Sequence, residues 1–238
     1  MRLQRMCSRM LARCAVALPL LASACVGMIG DDNKAGGGDG LPEGPCAGTP
    51  GRVGLARLTR AEYNRTVRDL FGVVSAPADA FPPDSSTNGF DNNAQSLTVS
   101  PQLAALLLDA AEQVAAEALS NKRDEIIACD PAQDGECART TLSAVALRVY
   151  RRPPTDTEID ALIALVDYAA AEGDSFDAAI EHALAGMLLA PQFLYRGVPV
   201  AMPPDAAVVP LDDYALASRL SYFLWGSTPD DELLAQRK

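Results

Sequence analysis

Two cysteines, Cys129 and Cys137, have a spacing that suggests a covalent bond between them. They flank a turn-rich loop that holds one proline, one glycine and three acidic residues. In an oxidising compartment such a local pair forms a disulfide. A metal site would need further ligands, and the chain has no CxxC or CxxH spacing. We therefore predict a Cys129–Cys137 disulfide, which leaves Cys46 without an assigned partner.

A second group of residues has the beginning of a calcium-binding loop. The pattern D-x-S-x-N-G is supplied by Asp84, Ser86, Asn88 and the following glycine, and Asp91 adds a carboxylate. The twelfth position is Gln95, where such loops carry a bidentate glutamate. A tight turn built by Asn88 and its glycine is the alternative interpretation. Both interpretations stay open, and calcium is the one cofactor that these residues suggest.

Residues that would carry out catalysis are not evident in this sequence. The single histidine, His182, lies on a helix face of small residues, and no second ligand has a recognisable spacing to it. We interpret it as a packing or surface residue. The chain has no GxSxG elbow, HExxH pair, phosphate-binding Walker loop or Rossmann glycine cluster. No catalytic residue is assigned, and we expect a protein that is not itself an enzyme.

The first 24 residues have the organisation of a secretory signal peptide. The segment begins with a basic region and contains no acidic residue, and its basic residues are Arg2, Arg5, Arg9 and Arg13. An apolar run follows over residues 14–24, far shorter than the ~20 residues of a membrane-spanning helix. Charge, a short apolar core and then small residues predict export and cleavage.

Cys25 stands directly after the small residues Ser23 and Ala24, which looks like a bacterial lipoprotein box. The resemblance implies that the Cys25 sulfur is diacylated and that the chain is cleaved before it. Ala22 departs from the box, where leucine is most often found. An ordinary cleaved signal peptide with a coincidental cysteine is the alternative. Val26 supplies no acidic retention signal, so we expect a cell-envelope protein on the outer membrane, facing the periplasm or the cell surface.

Composition supports an exported helical protein. The 238 residues include 31 Asp and Glu against 20 Lys and Arg, and the formal net charge is −11. Such acidity argues against a nucleic-acid partner and against binding to anionic lipid through charge. Aromatic residues make up only 5%, which favours helices over sheets. Residues 25–54 are rich in glycine and proline and predict a flexible tether.

Helix signals recur along the rest of the chain. Capping boxes begin at Thr59 and Thr155, and Ser100 precedes a proline at a helix start. The helix from Ser100 is expected to end near residues 120–121. The last full helix is expected to place Leu216, Leu220, Phe223 and Leu224 inward. We predict an all-α fold, an irregular multi-helix bundle of about six helices.

The expected domain organisation follows from these signals. A signal peptide (1–24) and the lipidated tether (25–54) precede two helical domains, 55–122 and 123–196. A proline-rich linker (197–210) leads to the start of a third helical domain (211–238). Its second helix, which begins after Thr228, has little room before Lys238, so we expect the sequence to be truncated.

Several stretches resemble planctomycete-specific domains of unknown function. Residues 58–72 and the loop motifs at 81–84 and 89–92 are similar to a first such domain, 148–153 with 190–196 to a second, and 216–226 to a third. The resemblance implies a large exported protein of planctomycetes, myxobacteria and relatives, many of which carry cytochrome c-like segments. It implies no established reaction and no catalytic residues. This chain has no CxxCH motif, so haem is expected only if further domains carry it.

Three functions remain open at this point. The first is a membrane-anchored, non-catalytic module that binds or positions an envelope protein or downstream domains. The second is the N-terminal fragment of a larger extracytoplasmic redox or polymer-degrading enzyme whose active site lies downstream. The third is a calcium-dependent binding module.

Overall fold

The computed structural model describes residues 55–86, 89–94, 96–196 and 211–235. These ranges contain α-helices and no β-strand, which confirms the all-α prediction. The sequence predicts about six helices, and two additional short helices bring the number of α-helices in these ranges to eight. In chain order the helices are α1 (Arg60–Phe71), α2 (Pro101–Ile126), α3 (Cys137–Val149), α4 (Asp156–Glu172), α5 (Phe176–Leu189), α6 (Pro191–Leu194), α7 (Asp213–Leu224) and α8 (Asp231–Ala235), with a 3-10 helix at Pro77–Ala80. No helix in the described part of the chain is long and apolar enough to cross a bilayer.

The helix ends follow the capping signals of the sequence. Thr59 and Thr155 each accept a hydrogen bond from the backbone of a glutamate three residues later, and that glutamate bonds back to the cap, so both capping boxes form. The Ser100 side chain caps α2. Gly72 and Gly173 end α1 and α4 with φ angles of 67° and 95°, a left-handed conformation that favours glycine.

Helix α2 continues beyond the predicted end at residues 120–121. Lys122 has non-helical angles, φ −136° and ψ 31°, and the helix resumes as far as Ile126. The Lys122 side chain lies against the end of α1, where a Cβ on Gly72 would come within 2.7 Å of its Cε. A cation beside the carbonyl end of a helix is electrostatically favourable. The sequence therefore predicted the break in α2 but not the further turn after it.

The core forms where α5 packs against both α2 and α4. The buried stripe of α2 is mostly small (Ala110, Ala111, Val114, Ala115 and Ala118), and α5 contributes larger side chains (Ile180, Leu184, Met187 and Leu188). Small residues let the helix axes approach closely, and each fully buried aliphatic side chain of the second set contributes roughly 1.5–3 kcal/mol. Because α2 lies in the predicted 55–122 domain and α5 in the predicted 123–196 domain, this core spans both.

The two ends of the 55–196 region are joined by backbone and aromatic contacts. The Leu58 amide donates to the Leu194 carbonyl at 2.8 Å, and the Arg196 amide donates to the Ala56 carbonyl at 2.9 Å. Tyr63 of α1 packs edge-on against Phe81 and Phe193, with ring centroids 5.3 and 5.6 Å away. These described residues belong to one compact unit, Pro50–Lys238. The predicted boundaries at 122 and 196 remain predictions.

The orientation of α7 differs from the prediction. The side chains expected to face inward are exposed, with Phe223 at 85% and Leu216 at 56%, and Leu220 and Leu224 share this face. The buried side is made instead of Ala217, Ser218, Ser221 and Tyr222. We call the exposed side, formed by Leu216, Leu220, Phe223 and Leu224, the outward apolar row. The prediction was wrong because helical spacing identifies an apolar stripe but not the direction in which it points.

Candidate functional site

The structure uses Asp84, the first residue of the predicted calcium loop, to fix the start of α1. One carboxylate oxygen accepts from the Arg57 guanidinium at 3.0 Å and the other from the Arg60 amide at 2.7 Å. Ser86 and Asp91 are exposed, and Asn88 lies outside the described residues. In the part of the chain described, no three His, Cys, Asp or Glu side chains are grouped to hold a metal ion. Calcium binding stays a prediction.

The Cys129–Cys137 disulfide is confirmed by the structure. It joins the segment after α2 to the first residue of α3, and Cys137 is fully buried. The intervening loop is organised by two aspartates, whose carboxylates accept from the amides of Ala132 and Glu136, each at 2.9 Å. The bond is therefore a structural link between α2 and α3. Cys25 and Cys46 lie outside the described residues.

His182 has the position expected of a surface residue. Its side chain is 61% exposed, and its Nε2 lies 3.4 Å from an Asp174 carboxylate oxygen. The aspartate begins the turn that precedes α5. The pair links α5 to the segment before it, and neither side chain is buried.

A cluster of buried and partly buried polar side chains lies where α1, α3, α6 and α7 meet. Its members are Glu62, Thr66, Arg151, Arg196 and Tyr222, which we call the arginine–tyrosine junction. The hydroxyls of Tyr222 and Thr66 are 2.9 Å apart, and an Arg151 Nη1 donor lies 3.4 Å from the same phenol oxygen. Both guanidiniums lie against the Tyr222 ring, with Cζ atoms 5.5 Å (Arg151) and 5.8 Å (Arg196) from its centroid. Such contacts are attractive cation–π interactions.

Arg151 is held in place by the backbone around it. Its Nη2 donates to the carbonyls of Gln192, Phe193 and Tyr195, and its Nη1 donates to the carbonyl of Val149. These oxygens lie at the ends of α3 and α6, where helices leave carbonyls without partners. Arg151 itself has a φ of 60°, which is unfavourable for a residue with a Cβ. The number of hydrogen bonds explains how this backbone strain is tolerated.

The charged groups of the junction, one carboxylate and two guanidiniums, are committed to hydrogen bonds. Glu62 accepts from Arg196 at 2.9 Å through one carboxylate oxygen and from the Thr59 amide through the other. Burial raises the pKa of the Tyr222 phenol, although Arg151 opposes that shift. The phenol is therefore neutral at physiological pH. With both carboxylate oxygens occupied and the phenol protonated, this arrangement holds helices together and offers no free base.

Further contacts connect α7 and α8 to the rest of the molecule. The Ser227 hydroxyl donates to an Asp69 carboxylate of α1, and Arg148 of α3 pairs with Asp231 at 3.1 Å. A small cleft of about 20 Å³ lies beside the junction, and the buried hydroxyl of Ser218 faces no partner within the described residues. That space is large enough for a single water molecule.

Sequence reasoning missed the junction. Neither Arg151 nor Tyr222 has a local sequence signal that predicts a buried contact. The only available signal was that residues 148–153 and 216–226 are two of the stretches that carry the family resemblance. The structure shows that these stretches contact each other through Arg151 and Tyr222.

Family models match three successive segments of the chain. Residues 56–120 match PSD3, residues 137–197 match PSD5 and residues 211–238 match PSD4, described as proteins of unknown function DUF1587, DUF1595 and DUF1592. Searches of curated proteins and of solved structures returned no match. The junction takes Glu62 and Thr66 from the first segment, Arg151 and Arg196 from the second, and Tyr222 from the third. The chain thus belongs to the proteins built of consecutive planctomycete-specific domains of unknown function.

Proposed function

We propose that this protein is a lipid-anchored extracytoplasmic scaffold, a non-catalytic helical module that positions a binding partner or further domains at the cell envelope. The observation that carries the scaffold role is the arginine–tyrosine junction. Its charged groups, Glu62, Arg151 and Arg196, connect the three family segments around the buried Tyr222 ring. A scaffold needs such fixed relative positions, whereas a catalytic site needs groups free to exchange protons.

The anchor rests on the sequence around Cys25. An apolar run, the small residues Ser23 and Ala24 and then a cysteine support acylation at that position. Each buried CH₂ of an acyl chain contributes about 0.8 kcal/mol, so several chains hold a protein stably on a bilayer. The glycine-rich segment at 25–54 suits a tether between membrane and helical body.

Metabolic labelling tests the anchor. The whole chain is expressed in a bacterial host with radiolabelled palmitate, alongside Cys25→Ala and the matched control Cys46→Ala. We expect label and an outer-membrane location for the unchanged chain and for Cys46→Ala, and neither for Cys25→Ala. Label that persists in Cys25→Ala would refute the anchor.

A second candidate is that these residues are part of a larger redox or polymer-degrading enzyme. The outward apolar row favours it, because contiguous apolar surface on a soluble protein usually marks a contact with further polypeptide. The scaffold and the enzyme are distinguished by the mass of the native protein on a gel of its own membrane fraction, with a haem stain on the same gel. A haem-negative band somewhat below 25 kDa, the size left after cleavage before Cys25, supports the scaffold, and a much larger, haem-positive band supports the enzyme.

A further inference from the structure

We propose that residues 55–196 carry a recognition site for a tyrosine-bearing helix, and that residues 211–235 occupy it through non-covalent contacts alone. The partner is therefore this segment, supplied by the same chain or by a second copy. In this interpretation the covalent connection through residues 197–210 is not needed for binding. The proposal does not depend on the lipid anchor.

The receiving surface is fixed by contacts that do not involve Tyr222. Arg151 is held by four backbone carbonyls, and Arg196 is held by Glu62 at 2.9 Å. Side chains already ordered before binding lose little entropy when the ligand arrives. The two guanidiniums and the Thr66 hydroxyl thus form a preorganised site for a phenol.

The occupying helix has the complementary features. Tyr222 is 4% exposed, and its ring is the only large side chain on the buried side of α7, where the others are Ala217, Ser218 and Ser221. Small residues allow α7 to approach closely, so that the phenol reaches Thr66. Tyrosine and arginine are enriched among the residues that dominate interface energies.

The turn after α7 provides a second point of contact. Gly226 has a φ of 63°, and a Cβ at this position would come within hard contact of the Arg65 guanidinium. The next residue, Ser227, donates to Asp69 and accepts through its carbonyl from Ser221. The segment is thus recognised at two places on α1, at Thr66 and at the pair Arg65 and Asp69.

Cutting the connection tests this proposal. A specific protease site is placed within residues 197–210 of the whole chain, the protein is cleaved, and the products are separated by size exclusion. We expect the 211–238 fragment to elute with the larger fragment. A labelled synthetic 211–235 peptide should then exchange into the cleaved protein. Separate elution of the fragments, or failure of the peptide to enter, would overturn the proposal.

Variants make the test specific for the phenol. We expect Tyr222→Ala to weaken retention of the fragment at least tenfold, and Tyr222→Phe and Thr66→Val to weaken it by a smaller factor. The matched control is Phe223→Ala, the neighbouring residue on the exposed face, which should leave retention unchanged. Equal losses in Phe223→Ala and Tyr222→Ala would contradict the proposal. So would loss of the larger fragment's helical signal when the small fragment is removed, since the site would then not be preformed.

Discussion

Two buried tyrosines differ in whether their hydroxyl groups are hydrogen-bonded. The Tyr63 hydroxyl has no partner among the described residues, whereas the Tyr222 hydroxyl contacts Thr66 and Arg151. Burial raises the pKa of Tyr63 above its ordinary 10.0, so the folded state holds this phenol neutral. Because the unfolded chain ionises Tyr63 above pH 10.0 and the folded protein resists this, the free energy of unfolding falls as the pH rises beyond 10.0.

Replacing Tyr63 with phenylalanine should stabilise the protein. The ring contacts with Phe81 and Phe193 remain, and an unsatisfied buried hydroxyl, which costs about 1–3 kcal/mol, is removed. We expect Tyr63→Phe to raise the free energy of unfolding by about 1 kcal/mol in urea titrations. It should also reduce the loss of stability above pH 10.

The matched change Tyr222→Phe should act in the opposite direction. It removes a bonded hydroxyl and leaves Thr66 and Arg151 short of a partner, so we expect a loss of about 1–2 kcal/mol. If Tyr63→Phe destabilised the protein by as much, the Tyr63 hydroxyl would have to be bonded after all.

Residue roles in the junction could not be predicted because they depend on contacts distant in sequence. Arg151 lies two residues before a proline pair, a local pattern typical of a helix end. Apart from Val149, its hydrogen-bond partners are distant in sequence: Gln192, Phe193, Tyr195 and Tyr222. Cys129 and Cys137 were predictable because their partners are each other, within one short loop. Local pairing is readable from a sequence, whereas a buried arginine with distant partners is not.

At the scale of elements, Glu158 connects three helices. It completes the capping box of α4, accepts two hydrogen bonds from Arg152 after α3, and accepts another from Gln192 of α6. The Arg152 hydrogen bonds are the main cause that lowers the pKa of Glu158 from 4.5 to about 2. The folded state therefore prefers the charged carboxylate.

Glu158 should make the protein sensitive to acid. Because its folded pKa is depressed, its contribution is present above pH 4.5 and is lost as the pH falls towards 2. We expect Glu158→Gln to cost about 1–2 kcal/mol at pH 7 and almost nothing near pH 2. Thermal melts of both proteins from pH 7 to pH 2 check this, with Glu112→Gln on the exposed face of α2 as control. If the difference in stability between Glu158→Gln and the unchanged protein did not vary with pH, this role of Glu158 would be contradicted.

Reducing the Cys129–Cys137 disulfide should loosen the contact between α2 and α3. The two cysteines are separated by 8 residues, and closing so short a loop stabilises a fold by about 2–3 kcal/mol. We expect urea titrations of the reduced protein to give a free energy of unfolding that is lower by that amount. Identical melts of the oxidised and reduced protein would show that the bridge adds no stability.

Helix positions were largely predictable, but helix faces were not. The caps at Thr59, Ser100 and Thr155 are local signals, and the structure forms all of them. The face that α7 buries is decided instead by what the neighbouring helices offer, here two guanidiniums and a threonine. Tyr222 meets those groups, and the leucines on the other side of α7 do not.

For the molecule as a whole, we predict that α7 unfolds together with the rest of the uncut chain. The single tryptophan, Trp225, follows α7 and reports on that segment alone, whereas far-ultraviolet circular dichroism reports on all helices. Because the junction ties α7 to α1 and α3, the fluorescence-anisotropy and dichroism transitions should coincide, as two-state unfolding requires. An earlier transition at Trp225 would show that the segment detaches first.

The outward apolar row also determines how the protein behaves in solution. Four large apolar side chains share one exposed helix face of a chain whose net charge is −11. In dilute buffer the like charges keep copies apart, but salt screens that repulsion, and sulfate also strengthens apolar attraction. We expect salting-out at modest ammonium sulfate concentrations and strong retention on a phenyl resin. Phe223→Ser should elute earlier than the matched surface change Phe90→Ser, so that one exposed helix face controls how the protein is purified and stored.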